Sequence, residues 1–218
     1  MNARENILGR IRKAQGRAGR EPTDEELHAV RAEFRAHEIG PLPGIALPID
    51  RVAHFKAECV RLESSCTELG AIGEAPREVA AYLERNGLER RAVIWHELAA
   101  LDWKDAGVVV DDRPANGADR TGITGAFCAI AETGTLLLLS APHTPKATAI
   151  LPDTHICIAR LARMVDTMEE AFAMMRNEIG EPPRATTFVS GPSRTADIEQ
   201  TIVIGAHGPY RVHVILVP

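Results

Sequence analysis

The sequence predicts a three-layer α/β domain with a mostly parallel sheet, preceded by an N-terminal helical arm. Two observations carry this. Short apolar runs rich in β-branched residues alternate with amphipathic stretches long enough for helices, the pattern of a sheet covered on both faces. Several of those runs are apolar at every position, as buried parallel strands are. At 218 residues the chain suits one substantial core with an appended arm. We divide it into a helical arm and Pro/Gly linker over 1–48 and an α/β domain over 49–218.

The arm comes first. Residues 1–20 carry six bases against one acid, and Ile7, Leu8 and Ile11 recur at helical spacing. That predicts a short amphipathic helix with a basic face. Thr23 and Glu26 have the spacing of a capping box, in which hydroxyl and carboxylate satisfy each other's helix-end N–H groups. The helix they open, with Leu27, Val30 and Phe34 on one face, runs to about His37. Gly40 to Pro48 holds three prolines and two glycines, which stops the helix and marks a linker. Such an arm packs on the body or docks a partner.

In the body, helices are predicted over Val52–Leu62 and Pro76–Asn86, the second with proline in its first turn and Gly87 after its end. Strands are predicted over Thr67–Ile72, Ala92–Trp95, Val108–Val110, Ile123–Ile130, Thr135–Ser140 and His155–Ala159. Glu132-Thr133-Gly134 forms a tight turn, so its flanking strands make a local hairpin within the sheet. A helix over Asp166–Ile179 points Met168, Phe172 and Met175 inward, a stripe that belongs to a core. Strands over Thr186–Val189 and Tyr210–Val217 frame a short helix from Ala196 to about Ile204.

Composition excludes several classes. Net charge is −5, with 45% hydrophobic and 25% charged residues, an ordinary globular balance without the basic excess of a nucleic-acid binder. The longest apolar run, around Leu136–Leu139, is far short of the roughly 20 residues a membrane span needs. Met1–Arg20 is charged throughout and carries no secretory signal, so a cytoplasmic setting is expected. Cys59, Cys66, Cys128 and Cys157 are scattered, without the close spacing that holds an iron–sulfur cluster. No C-x-x-C or H-E-x-x-H pattern appears, so no metal site is expected. Gly70-x-x-Gly73 and Gly122-x-x-Gly125 lack the strand–turn–helix context of a dinucleotide fingerprint, so no cofactor is expected either.

Two bends carry candidate chemistry. The first follows a strand: Ser190-Gly191-Pro192-Ser193-Arg194-Thr195, leading into the predicted helix. Backbone N–H groups at a helix start carry partial positive charge. Gly191, the Ser193 and Thr195 hydroxyls and the Arg194 fork suit a carboxylate or phosphate. Equally, Ser193 or Thr195 caps the helix while Arg194 pairs with Asp197 or Glu199. The second bend is Ala131-Glu132-Thr133-Gly134-Thr135. A carboxylate at a break between buried strands needs partners. Glu132 therefore acts as base, nucleophile or ligand-orienting acceptor, or accepts N–H bonds from its own turn. We expect the two bends to face each other across a shared cavity.

The run from Thr124 to Thr135 (Thr-Gly-Ala-Phe-Cys-Ala-Ile-Ala-Glu-Thr-Gly-Thr) resembles the signature of the lactate-utilisation protein C family, single-domain members of the LUD group. Leu151–Ile156 looks like its next block. Ser190–Glu199, Gly205–Pro209 and Val212-His213-Val214 resemble its C-terminal block, so the resemblance covers roughly residues 50–218. It implies a NagB/RpiA/CoA-transferase-like fold and a part in oxidising L-lactate to pyruvate beside iron–sulfur companion proteins. In that system this chain would be the non-cluster accessory subunit. A small carboxylate would then sit on Arg194, Ser193 and Thr195, with Glu132, Thr133, Gly134 and Thr135 on the opposite wall and His207 as proton carrier. His207 alternatively just hydrogen-bonds within its glycine-proline turn. The other reading is a stand-alone acyl or CoA transferase or sugar-phosphate isomerase using Glu132, by fold analogy.

Overall fold

The computed structural model describes residues 2–17, 19–36, 40, 48–196 and 200–218. The chain falls into two compact units, Met1–Ile45 and Ala46–Pro218.

The first unit holds α1 (Ala3–Ala14) and α2 (Asp24–Ala36), and no residue of either helix is buried. Each start is closed reciprocally. The Glu5 N–H donates to Asn2 Oδ1 at 2.9 Å, and the Asn2 N–H to Glu5 Oε2 at 3.0 Å. Thr23 and Glu26 make the same exchange at 3.2 and 2.9 Å, as their spacing predicts. The end of the predicted second helix at His37, and most of the linker, lie outside the described residues.

The second unit is built on six parallel strands in the order β1-β12-β7-β4-β2-β3. These are β1 (Ser65–Glu68), β2 (Arg91–Ile94), β3 (Val109–Asp112), β4 (Thr121–Gly125), β7 (Thr154–Arg160) and β12 (Arg211–Val217). Alternation along the strands sorts side chains to two faces. Ile123, Ile156, Ile158, Ile215 and Val217 meet α4 (Ala75–Arg85) on one face. Cys157, Ala159, Val212, Val214 and Leu216 share the other core with α3 (Arg51–Arg61) and α5 (Ala147–Ile150).

That second core also takes Leu136, Leu138 and Val189 from a smaller four-stranded sheet. Its order is β8-β5-β6-β9, from β5 (Cys128–Ile130), β6 (Thr135–Leu139), β8 (Met164–Val165) and β9 (Thr186–Val189). Its far face, with Cys128, Ile130 and Leu137, is covered by α6 (Met168–Ile179).

Four expectations are corrected. Ile123–Ile130 is two strands, with the break at Ala126-Phe127, and the antiparallel β5–β6 hairpin belongs to the smaller sheet. Both pieces are buried throughout, so nothing in the polarity marks the change of sheet. The strand at Val109 is an edge, and Val109 is 56% exposed. The predicted helix over Ala196–Ile204 is overturned: β10 (Arg194–Thr195) and β11 (Val203–Ile204) pair antiparallel. The β-branched run Ile202-Val203-Ile204 favours that outcome, while residues 197–199 lie outside the described set. The strand predicted over Thr67–Ile72 stops at Glu68, and Ile72 opens a 3-10 turn. Among the described residues, no helix is long and apolar enough to cross a membrane.

Candidate functional site

The two bends emerge side by side, because β6 and β9 are antiparallel neighbours with Leu136 opposite Val189. Thr135 Oγ1 lies 2.7 Å from both Thr133 Oγ1 and Ser190 Oγ, a chain of hydroxyls joining one bend to the other. The end of α3 packs against both. Gly134 has φ +61°, and a Cβ there would stand 2.9 Å from the Cys59 nitrogen and 2.8 Å from Glu58 Cβ. Gly191 has φ +87°, and its Cβ would stand 2.4 Å from the Leu62 carbonyl oxygen. Both glycines thus permit a close approach and a left-handed backbone together. The two bends therefore share a helix end and are joined by a chain of hydroxyls.

Glu132 is half-buried in the 3-10 turn Ala131–Thr133, and its backbone N–H donates to the Asp166 carbonyl at 3.0 Å. Its carboxylate makes no hydrogen bond or ion pair among the described residues. Arg194 is engaged. Its Nη2 donates to the Leu62 carbonyl at 3.0 Å and lies 3.2 Å from Glu63 Oε2. Ser193 is pinned through its backbone: its N–H donates to Pro209 at 2.9 Å and its carbonyl accepts from Gly205 at 2.8 Å. Thr195 pairs with Val203 in the hairpin. The Gly205–Pro209 segment thus lies against the arginine bend, and exposed His207 is on it. With a hairpin where a helix was expected, the helix-start contribution to anion binding is gone.

Beside the arginine bend lies a cavity of about 670 Å³, whose wall includes Glu63, Pro192 and Ile204. It opens at the amino ends of β1 and β12, where Ser65, Arg211 and His213 line it. His213 is buried in its strand, and its ring stacks on Tyr82 at 4.2 Å between centroids. Its Nδ1 lies 2.8 Å from Ser65 Oγ, and its Nε2 lies 3.7 Å from Glu78 Oε1 without a hydrogen bond. Burial pushes this imidazole down to about 4, although nearby Glu78 pulls the other way. It is therefore neutral near pH 7, able to donate through one nitrogen and accept through the other.

Arg211 stacks over the Tyr210 ring at 4.9 Å and makes no ion pair among the described residues. Arg85, the second cation of this wall, is bound 2.8 Å from Glu78. Burial raises the Tyr82 phenol above its ordinary range, so it stays a neutral donor. The cavity thus offers one uncommitted guanidinium, a phenol, a hydroxyl and a neutral imidazole, a set suited to a small carboxylate. Ser65, Tyr82, Arg211 and His213 were not among the predicted site residues. The signal available was a histidine at an inward position of an otherwise apolar strand. No group of three His, Cys, Asp or Glu side chains among the described residues could hold a metal ion.

A parallel six-stranded sheet with helices and a second sheet packed on it defines a mixed α/β protein whose polar cavity lies at one sheet edge. The LUD domain family model matches residues 13–217, and the chain belongs to that family. It is 33% identical to lactate utilization protein C of Deinococcus radiodurans over 196 residues, covering 85% of this chain and 89% of the relative. It is 28% identical to lactate utilization protein C of Bacillus subtilis over 195 residues, covering 77% of this chain and 78% of the relative. An uncharacterized Neisseria meningitidis protein matches at 39% over 88 residues, which is 40% of this chain and 38% of that protein. Among solved structures, a DUF162 family protein from Deinococcus radiodurans superposes with a TM-score of 0.56 at 26% identity, covering 78% of this chain and all of that one. These relatives support a role in lactate utilization.

Proposed function

We propose that this protein is the cluster-free accessory component of a cytoplasmic lactate-oxidising system, and that the cavity beside the arginine bend receives the small carboxylate. The observation that carries the binding site is the guanidinium of Arg211, uncommitted at the mouth of a cavity that also presents Tyr82, Ser65 and His213. The carboxylate pairs with Arg211, and Tyr82 and Ser65 supply further donors. Neutral His213 stands behind Ser65 and accepts or relays a proton. Arg194, held by Leu62 and Glu63, shapes the cavity wall and brings Pro192 into it.

Turning lactate into pyruvate releases two electrons and two protons, so the reaction needs an acceptor. Iron–sulfur companion proteins take the electrons in this reading, while this chain supplies binding and proton handling. The names of the relatives support the pathway. The test is twofold. Calorimetry with lactate and pyruvate should show saturable binding that Arg211→Gln weakens about tenfold or more. Purification from lactate-grown cells should recover iron–sulfur proteins with this chain. Lactate oxidation that proceeds unchanged when the chain is deleted would remove the accessory role.

A second reading is favoured by one observation, the Glu132 carboxylate without a hydrogen-bond partner in its bend. On a NagB/RpiA/CoA-transferase-like scaffold it would serve acyl transfer or sugar-phosphate isomerisation. That reading requires turnover by the purified chain alone and its loss in Glu132→Gln.

A further inference from the structure

The first unit holds two amphipathic helices whose apolar faces lie open. In α1, Ile7, Ile11 and Ala14 recur at i, i+4 and i+7 and so share one face. An open groove lined by those three with Arg10 and Lys13 lies along it. In α2, Leu27, Val30 and Phe34 share a face by the same spacing. Ile7 is 58% exposed and Phe34 75%, and no residue of either helix is buried. Helices of 12 and 13 residues are marginal alone in water, and end caps offset only part of that deficit.

The charges define what can cover them. α1 carries four bases against one acid, and helical spacing sets Arg4 and Arg10 on either side of its apolar face. α2 carries four acids against two bases, with Glu33 beside Val30 on one margin. Glu26, on the same margin, is held by Arg20 at 2.7 Å and by the Thr23 N–H at 2.9 Å. Arg4, Arg10 and Glu33 make no ion pair among the described residues.

A surface that covers both faces must be apolar and must carry both signs. Residues 46–218 hold 23 acids against 17 bases, a balance that attracts α1 and repels α2. A second arm offers an acidic apolar face to α1 and a basic one to α2 at once. Two-fold symmetry makes the two contacts equivalent.

We propose that the arm is a dimerisation element, in which α1 of one copy packs on α2 of a second copy to form a four-helix bundle between two chains. Ile7, Ile11, Leu27, Val30 and Phe34 form the core of that bundle. Arg4 and Arg10 face Glu33 of the other copy along its margin.

The test is sedimentation velocity on the full chain. The wild type should be a dimer that dissociates on dilution from about 200 μM to about 2 μM. Ile11→Asp with Phe34→Asp should leave a monomer throughout. Arg4→Glu with Arg10→Glu should weaken association about tenfold or more, and adding Glu33→Lys should restore most of it. Glu33→Lys cannot repair a melted helix, so the rescue reads the charge contact itself. Arg211→Gln should leave association unchanged, which keeps this result independent of lactate binding. A chain monomeric at the highest concentration overturns the proposal, whether its arm resists proteolysis on its own body or not. A dimer indifferent to the Ile11 and Phe34 substitutions, or a charge-reversed chain that Glu33→Lys fails to restore, overturns it as well.

Discussion

The hydroxyl of Thr135 lies 2.7 Å from that of Ser190, and this contact makes the acidic bend and the arginine bend one structural unit. Thr133 extends the chain at 2.7 Å. Because Gly134 and Gly191 both press against the end of α3, movement of either bend must disturb the other. Removing the middle hydroxyl leaves two hydroxyls short of a partner in a part-buried place. Thr135→Val should cost about 1–2 kcal/mol in urea unfolding. Ser190→Ala should cost less, and the double variant should cost less than the two single effects together, as expected for groups in contact.

Much of this fold was legible because local chemistry and tertiary structure agree. Thr23 and Glu26 signalled a helix start, and Gly87 after α4 has φ +62°, the left-handed residue a helix end favours. The unbroken apolar runs identified buried strands. They could not say that β4 and β5 part into different sheets, because both are buried at every position and no exposed face marks the change. The hairpin at Arg194 escaped because serine and threonine hydroxyls suit a helix cap and a turn alike. The candidate site was half legible. Its bends are marked by glycine and charge, but Arg211 and His213 acquire their meaning only when β12 is laid beside β1.

Arg194 and Arg211 should separate under mutation. Arg194 serves the fold, since it ties β10 to the end of α3, and its ion pair with Glu63 is largely exposed. Arg194→Gln should lower stability by about 1 kcal/mol. Arg211→Gln removes no ion pair among the described residues, so it should leave the melting temperature near wild type. Lactate binding should fall about tenfold or more in Arg211→Gln. A thermal melt and a calorimetric titration on each variant distinguish the two.

Acid should destabilise the protein over a defined window. His155 and His213 are both buried in parallel strands, and burial pushes each down to about 4. In the unfolded chain each titrates near 6.5. Between those values the unfolded state binds protons that the folded state refuses, so stability rises with pH across the window. The contribution is complete above about pH 6.5 and lost as pH falls through about 4, at about 3 kcal/mol for each histidine. Urea midpoints measured from pH 7 to pH 5 should fall steadily. His155→Gln should flatten that slope whatever it does to the absolute stability, because only the slope reports the titration.

Two glycines of the same strand should behave oppositely. At Gly122 an added Cβ would stand 1.9 Å from the Thr148 backbone oxygen, so α5 must shift to accept a methyl group. Thr148 is fully buried there, and the space cannot open cheaply. Gly122→Ala should cost about 3 kcal/mol or more, or prevent folding. At Gly125 the obstacle is the far end of the Glu97 side chain, which can swing outward toward solvent. Gly125→Ala should therefore keep its urea midpoint within about 1 kcal/mol of wild type. A Gly125→Ala protein as unstable as Gly122→Ala would mean that the Glu97 side chain is fixed by the fold and cannot swing aside.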